Sequence, residues 1–364
     1  MSLVACTRCG KPYPSTGTPF RCDCGGNFDI VEFPHFDAAR IDSHESGLWK
    51  YGPLLGLDSP AERVTLGEGN TPLVDLSYRS EQVYLKLEYQ NPTASYKDRG
   101  TAVLISFLRS RGVTEAVEDS SGNAGASFAA YAARAGMHAR VFVPESASGP
   151  KRAQIEAYGA ALVRVPGPRA KAAEAVLMDV EQGAAYASHA FMPFGLTGIA
   201  TIAYEIQAQM ATHPGTIIAP VGHGGLLYGI MRGFEALKSA GEIEDQPYYL
   251  GVQSSACAPV AAASRHHSTT VARVIPGETL AEGVKVSEPA RGGAILSHLS
   301  VTRGKIVAVD DEHLVQAYTE LARRGFFVEP TSALAYAAME LEWSQLPRPV
   351  VMVLTGAGTK TKSI

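Results

Sequence analysis

The sequence lacks a strong excess of charge of either sign. Its 364 residues include 32 Lys and Arg against 36 Asp and Glu, which gives a formal net charge of −4 at pH 7. No run of Lys and Arg is dense enough to form a nucleic-acid-binding patch, and the overall charge creates no long-range positive field. The composition therefore predicts no nucleic-acid partner and favours small-molecule chemistry.

Long apolar segments are also missing. We find no uncharged apolar run of about 18 residues that could cross a bilayer. The first ten residues, MSLVACTRCG, contain no apolar stretch after their charges. We therefore predict a cytoplasmic protein with no membrane partner.

Cysteine is scarce outside the N-terminal region, where Cys6, Cys9, Cys22 and Cys24 stand close together, while Cys257 is isolated. In a reducing compartment this distribution argues against disulfides and for a metal. The short segment is rich in Gly and Pro, and four thiolates could hold it together around one tetrahedral Zn²⁺ with no open coordination position. The spacing in Cys22-Asp-Cys24 is tighter than in most zinc knuckles, so free thiols on a degenerate ribbon are the alternative.

An α/β pattern fills most of the chain, with a hydrophobic fraction of 46% and 19% charged residues. From about residue 62, short β-branched runs alternate with Ala-rich stretches of helical periodicity. The apolar runs predict strands over residues 83–88, 140–144, 161–167, 216–222, 248–253 and 350–356, and the periodic stretches predict helices over 101–112, 126–136, 150–160 and 226–241. Such strands are typical of open twisted, mainly parallel sheets, which bind ligands beyond the carboxyl ends of their strands.

The first strand-to-helix junction contains a lysine. After the strand the chain turns and enters a helix at Tyr96-Lys97, with Ser95 well placed as the N-cap. A lysine in the first turn lies near the positive end of the helix dipole, a position that favours the neutral, nucleophilic amine needed for Schiff-base chemistry. Taken alone, an exposed surface lysine is the competing interpretation.

The second junction, residues 119–126, is a polar loop that opens a helix. Its backbone N–H groups and the hydroxyls of Ser120 and Ser121 could hold a carboxylate, and Asn123 could donate a hydrogen bond to a ring oxygen. An ordinary helix-capping loop is the alternative.

The third junction, residues 219–226, is a glycine loop between an apolar strand and a helix. Successive N–H groups over Gly222, His223, Gly224, Gly225 and Leu226 could cradle a phosphate. A dinucleotide site is the competing interpretation, but the G-x-G-x-x-G pattern is imperfect and no acidic residue ends the next strand.

Together these segments resemble the fold-type II pyridoxal-phosphate enzymes, and most closely the threonine synthase branch with an N-terminal zinc ribbon. The resemblance extends over the cysteine segment and residues 67–73, 91–100, 120–125, 222–226, 329–333 and 354–360. It implies that Lys97 is the Schiff-base lysine and general acid/base and that Asn123 contacts the cofactor's ring hydroxyl. It also implies that backbone groups from Gly222 to Leu226 hold the phosphate and that Thr355 meets the pyridine nitrogen.

The same resemblance implies the domain organisation and the substrate contacts. We expect a zinc ribbon over 1–34, a large cofactor-binding domain from 35–110 and 212–364, a smaller inserted domain over 111–211, and a homodimer. The residues expected to contact the substrate are Thr93, Ser120, Ser121 and Ala124. Glu329 and Ser332 are expected to line the substrate cavity, with helix capping as an equal alternative for Glu329.

One segment departs from the family pattern. Threonine synthases hold the substrate phosphate with a segment of the form Asn-Pro-Tyr-Arg-x-x-Gly-x-x-Thr, whereas residues 192–201 have Met192 and Gly195 at the amide and guanidinium positions. Ala124 likewise stands where the family has Thr. A buried phosphate needs charge-assisted donors, so either His189, His223 and Lys285 compensate or the substrate has no γ-phosphate.

The sequence therefore predicts a pyridoxal-phosphate-dependent carbon–oxygen lyase or synthase that remodels the side chain of a small amino acid at the β or γ carbon. We expect a substrate other than O-phosphohomoserine. The alternatives are a true threonine synthase and a serine/threonine ammonia-lyase or β-replacement enzyme. A catalytically silent homologue would be expected to lack Lys97 or Asn123, and both are present.

Overall fold

The computed structural model describes residues 3–57, 62–146 and 149–361. The chain divides into two compact units. Unit 1 comprises Met1–Gly69 and Asn91–Gly198, and unit 2 comprises Asn70–Gln90 and Ile199–Ile364. No helix in the described ranges is both long and apolar enough to cross a membrane.

Strands and helices alternate along most of the chain. The strands are β1 (Leu3–Cys6), β2 (Phe28–Glu32), β3 (Leu73–Tyr78), β4 (Glu81–Lys86), β5 (Glu115–Glu118), β6 (His138–Pro144), β7 (Ala161–Val165), β8 (Ala185–Tyr186), β9 (Thr216–Pro220), β10 (Tyr248–Ser254), β11 (Gly304–Val309) and β12 (Val350–Val353). The α-helices are α1 (Lys97–Ser110), α2 (Asn123–Ala135), α3 (Pro150–Ala157), α4 (Arg169–Glu181), α5 (Gly195–Gln209), α6 (Gly225–Ser239), α7 (Pro259–Arg265), α8 (Gly292–Leu299), α9 (Asp311–Arg323) and α10 (Pro330–Glu342). Short 3-10 helices cover Ala38–Arg40, Gly47–Leu54, Glu88–Gln90, Glu282–Val284, Trp343–Gln345 and Gly358–Lys360.

The sheets are mainly parallel, as the sequence predicts. In unit 1, β1 and β2 form an antiparallel ribbon, and a separate parallel sheet has the strand order β7-β6-β5-β8. In unit 2, six strands have the order β11-β10-β9-β12-β4-β3, with only the edge strand β3 antiparallel. The predicted α/β fold class is confirmed.

Most predicted elements are present with shifted ends. The six predicted strands correspond to β4, β6, β7, β9, β10 and β12, and the four predicted helices correspond to α1, α2, α3 and α6. Gly136 ends α2 with a left-handed φ of 68°, a conformation that glycine adopts without steric cost. The sequence reading missed β5, because its Glu-Ala-Val-Glu sequence lacks a continuous apolar run.

The two compact units divide the chain at positions other than those of the expected domains, which stay a prediction. Residues 35–69 and 91–110 were expected in the large domain, yet they belong to unit 1. The reason is packing, because buried apolar side chains of α1 and α2 share one core cluster. The expected ribbon is joined to the same unit, since the Tyr13 ring contacts Phe107 and Phe194 at centroid distances of 6.0 and 5.0 Å.

A fully buried lysine connects the two chain segments of unit 2. Lys86, at the end of β4, donates from its ammonium group to the Thr71 carbonyl oxygen at 2.7 Å, to Glu205 at 2.7 Å and to Gln209 at 2.9 Å. The second oxygen of Glu205 accepts from the backbone N–H of Asn70 at 2.7 Å. Because each charge has several partners, the network compensates for the desolvation of both ions.

Replacing Lys86 by methionine should destabilise the protein strongly. The substitution leaves the buried Glu205 carboxylate without its cation, which costs about 3–5 kcal/mol in comparable buried pairs. Lys305→Met is the matched control, because Lys305 pairs with Glu342 at 2.6 Å while the two side chains remain 32% and 18% exposed. We expect about 0–1 kcal/mol for that control. Urea unfolding should separate the two variants, and equal losses would contradict the importance of the buried network.

Candidate functional site

Four cysteines of unit 1 converge at the N-terminal ribbon. The ligand atoms of Cys6, Cys9, Cys22 and Cys24 all lie within 4.8 Å of one another. The Sγ atoms are 3.5 Å apart in the pair Cys6–Cys24 and 3.7 Å apart in the pair Cys9–Cys22. A tetrahedral Zn²⁺ with Zn–S bonds of about 2.3 Å separates its sulfurs by about 3.8 Å. The arrangement therefore fits a four-thiolate zinc site despite the tight second spacing.

The ribbon backbone supports thiolate ligands. Burial opposes the charged form of Cys6, but hydrogen bonds from the backbone N–H groups of Cys9 and Arg8 lower its pKa to about 6. A Cβ atom at Gly26 would lie 2.6 Å from the Cys6 sulfur and 3.3 Å from that of Cys24. Glycine at this position thus allows the chain to pass close to the thiols.

The structure places Lys97 at the start of α1, as predicted, but the predicted cap is wrong. Tyr96 occupies the N-cap position without a side-chain hydrogen bond. Ser95 is instead fully buried, and its hydroxyl has no hydrogen-bond partner within the described part of the chain. The Lys97 ammonium lies 4.8 Å from the centroid of the Tyr96 ring. The Lys97 amine and the unsatisfied Ser95 hydroxyl are therefore separated by one residue at the start of the buried helix α1.

Thr93 is held by a carboxylate from the same segment. Its hydroxyl donates to one oxygen of Asp98 at 2.5 Å and its backbone N–H donates to the other at 2.6 Å. Ser127 also donates to Asp98, at 2.6 Å. Because a hydroxyl has a single hydrogen, Thr93 in this arrangement offers a substrate carboxylate no donor from its side chain. Its expected substrate contact stays a prediction.

The polar loop after β5 leads directly into α2. Asn123 is the first residue of this helix, and Ala124 is buried within it. The Ser120 hydroxyl accepts from the backbone N–H of Gly122 at 3.2 Å, while Ser121 is half-buried. The expected cofactor and substrate residues of this loop thus lie at the carboxyl end of a parallel strand, the edge where such sheets bind ligands. Their roles stay predictions.

The sequence reading missed Glu118, the last residue of β5. Its side chain is 1% exposed, and one carboxyl oxygen lies 2.8 Å from Nδ1 of His189. His189 was expected as a candidate donor to a substrate phosphate. A charged residue at the end of a buried strand, directly before the Ser120 loop, was the available signal.

The glycine loop lies in unit 2 between β9 and α6. Gly224 has a left-handed φ of 95°, and a Cβ atom at Gly222 would lie 2.7 Å from the Gly283 carbonyl oxygen. A Cβ atom added to Gly225, the first residue of α6, would have no neighbouring atom within 4 Å. Since the first amides of a helix have no partner within the helix, this open loop fits a phosphate group. The residues thus fit that part of pyridoxal phosphate.

Thr355 follows β12 and lies within a polar cluster of unit 2. Its hydroxyl is 2.9 Å from that of Ser332 and donates to the Glu329 carboxylate at 3.3 Å. The Ser332 hydroxyl also accepts from the backbone N–H groups of Thr355 and Gly356. Glu329 occupies the N-cap position of α10 but makes no side-chain capping bond. Its carboxylate therefore faces the Thr355 turn rather than capping the helix.

The segment that departs from the family pattern is apolar and filled. Met192 is buried in the core of unit 1. The Phe194 ring stacks on Phe107 with centroids 3.5 Å apart. A Cβ atom at Gly195 would lie 2.9 Å from the carbonyl oxygen of Gly100 in α1. No guanidinium fits at position 195 without moving a helix backbone.

Of the other expected phosphate donors, Lys285 has a charged partner, and His223 makes a hydrogen bond through its backbone. Lys285 pairs with Glu278 at 2.9 Å, and the backbone carbonyl of His223 accepts from the Arg291 N–H at 3.0 Å.

Comparisons with known proteins agree with this geometry. Residues 64–356 match the family model described as pyridoxal-phosphate dependent enzyme. The chain is 32% identical to threonine synthase of Methanocaldococcus jannaschii, over 98% of this chain and 93% of the relative, and 30% identical to that of Methanosarcina acetivorans, over 93% and 86%. The crystal structure of a threonine deaminase from T.th. is similar with a TM-score of 0.69 and 29% identity, covering 81% of this chain and 94% of the other. The chain belongs to the pyridoxal-phosphate dependent enzyme family.

Proposed function

We propose that this enzyme is a lyase of the threonine synthase type that removes the side-chain hydroxyl of a small amino acid, and that its substrate carries no γ-phosphate. The observation that carries this proposal is the filled, apolar segment at Met192–Gly195. A phosphate dianion requires charge-assisted donors, each about 1.5–3 kcal/mol. A neutral hydroxyl substrate makes no such demand.

The cofactor would be held by residues with separate tasks. We assign Lys97 as the residue that binds the cofactor and moves the α proton of the substrate. Amides from Gly222 to Leu226 would bind the phosphate, and Asn123 would bind the ring hydroxyl. Thr355 would bind the pyridine nitrogen by turning its hydroxyl hydrogen from Glu329 to that nitrogen. Pyridoxal phosphate supplies an electron sink for negative charge at the α carbon.

The similarity to threonine deaminase supports a hydroxyl substrate, because that structure shares 29% identity over 81% of this chain. The substrate carboxylate would bind to the loop that contains Ser120 and Ser121, with Ala124 beside it. A helix N-terminus such as that of α2 favours an anion through its unpaired amides and its dipole. Thr93 would act indirectly by holding Asp98, which also accepts a hydrogen bond from Ser127 of α2.

Separate incubation of the purified holoenzyme with L-threonine, L-serine and O-phosphohomoserine tests this proposal. We expect 2-oxo acid and ammonia from a hydroxy amino acid and little phosphate release from O-phosphohomoserine. Lys97→Ala is the control, because it should abolish both turnover and the visible absorption of lysine-bound cofactor. Rapid formation of threonine and phosphate would contradict the proposed substrate class, and a wild-type protein without cofactor would contradict the whole assignment.

A true threonine synthase is the second candidate. It is favoured by the 32% identity to the Methanocaldococcus jannaschii enzyme, which extends over 98% of this chain. On this alternative, donors other than the residue at position 195 would bind the phosphate of O-phosphohomoserine. The same incubations decide between the two candidates.

We also propose that the four N-terminal cysteines bind one structural Zn²⁺. Cys9→Ser should lower the zinc content of the purified protein from about one ion per chain to well below half, because a four-ligand site loses a thiolate. Cys257→Ser is the matched control, since Cys257 is a buried cysteine outside the cluster and should leave the metal content unchanged. Elemental analysis makes the measurement, and a wild-type protein free of zinc would contradict the site.

A further inference from the structure

Two polar residues outside the assigned roles lie at the same edge of the parallel sheet in unit 1. Glu118 ends β5, and His189 follows the neighbouring strand β8 by three residues. The two strands run parallel and pair directly. Both side chains therefore stand where the polar loop of Ser120 and Ser121 also begins, at the carboxyl ends of the strands.

The surroundings of the Glu118 carboxyl group favour its neutral form. Burial raises its pKa well above the ordinary glutamate value, the Asp119 carboxylate adds to the rise, and the ammonium of Lys97 and the charge of Arg169 oppose it. One oxygen meets His189, while the other has no hydrogen-bond partner in the described structure. An unpartnered buried oxygen is far less costly on a neutral acid than on a carboxylate. The raised pKa thus favours the arrangement in which Glu118 carries the proton of its hydrogen bond to the imidazole.

The His189 imidazole contacts the buried carboxyl group and is itself partly exposed. Nδ1 of His189 faces the buried carboxyl at 2.8 Å, and the side chain is 20% exposed. When Nδ1 of a neutral imidazole accepts a hydrogen bond, the ring hydrogen is on the other nitrogen, Nε2. The Lys97 ammonium is close enough for its charge to act on the Glu118 carboxyl, so the pair and the lysine belong to one electrostatic neighbourhood.

We propose that Glu118 and His189 form a proton-donating pair that protonates the leaving hydroxyl of the substrate. This inference rests on the proposed function. Lys97 removes the α proton, and the electron pair of that bond forms a double bond to the β carbon. The β carbon–oxygen bond breaks with both electrons on oxygen, which takes the Nε2 proton and leaves as water. The Glu118 proton moves to Nδ1, so the ring stays neutral and the carboxyl becomes anionic.

The pair also explains how the enzyme can act on a substrate that has no γ-phosphate. Phosphate departs as a stable anion, whereas hydroxide is a poor leaving group that requires a proton. A general acid typically contributes about 10²–10⁴-fold to the rate. The proton-donating pair takes the place of the phosphate-binding Asn and Arg of threonine synthases, whose positions are occupied here by Met192 and Gly195.

Two substrates that differ only in the leaving group test the pair. L-serine loses a hydroxyl, whereas β-chloro-L-alanine loses chloride, which needs no proton, and both yield the same 2-oxo acid. His189→Gln should lower kcat for L-serine by about 100-fold or more, and Glu118→Gln, which keeps the shape but removes the acidic proton, by about tenfold. Both variants should turn over β-chloro-L-alanine within about threefold of the wild-type rate.

His138→Gln provides the matched control, because His138 is an exposed histidine at the start of β6 in the same unit. It should leave both rates within about twofold of wild type. Equal losses on the two substrates in the Glu118 and His189 variants, with an active wild type, would contradict the proton-donating pair alone. A wild-type enzyme that processes β-chloro-L-alanine but no hydroxy amino acid would overturn the proposed function and the pair together.

Stability measured against pH tests the buried proton independently of turnover. Unfolded glutamate releases its proton above its ordinary pKa of 4.5, whereas folded Glu118 retains it because its pKa is raised. Wild type should therefore lose stability relative to Glu118→Gln as the pH rises from about 4.5 towards the raised pKa, and the difference should be constant below that range. The groups around the carboxyl are Asp119, Lys97, Arg169 and His189. A difference that stays constant from about pH 4 to pH 8 would show that Glu118 holds no proton and overturn the pair.

Discussion

Close backbone packing against the first turn of α1 is the constraint on which the candidate site depends. A Cβ atom at Gly198 would lie 2.1 Å from the Arg99 carbonyl oxygen, and one at Gly195 would lie 2.9 Å from that of Gly100. Real Cβ atoms do not approach so closely, so only glycine allows α5 to begin against α1. The contact supports the turn that presents Lys97, and it excludes a guanidinium from position 195. One packing requirement therefore bears on both the turn that presents Lys97 and the proposed substrate class.

The buried carboxyl groups of unit 1 differ according to their hydrogen-bond donors. Glu68 accepts from the indole N–H of Trp49 at 2.7 Å and from the hydroxyl of Tyr131 at 2.6 Å. Asp98 likewise receives three hydrogen bonds, which is the usual condition for burying a charge. Glu118 has only the imidazole at one oxygen and none at the other among the described residues. The first two hold loops and helices in place, whereas the third is the acid of the proposed proton-donating pair.

Sequence reasoning performed best where one local pattern decides the structure. Apolar runs identified six strands, Lys97 was correctly expected in a first helical turn, and the four cysteines proved to be neighbours despite the short Cys22–Cys24 spacing. It failed where tertiary contacts decide. Ser95 looks like an N-cap, but the chain enters α1 through Tyr96, and the buried Ser95 hydroxyl has no hydrogen-bond partner among the described residues. Strand β5 was missed because glutamates occupy both of its ends.

The amino-acid sequence by itself determined the fold class, the cofactor family and the position of Lys97 in a first helical turn. These depend on periodicity and on short motifs whose chemistry is local. The tertiary structure alone decided which polar groups meet. It paired Glu118, at the end of β5, with His189, which follows β8, and it committed the Thr93 hydroxyl to Asp98. Such pairs depend on strand order and side-chain burial, which no local pattern encodes. For the same reason Glu118 reads in the sequence as an ordinary charged residue and becomes a buried acid only in the folded protein.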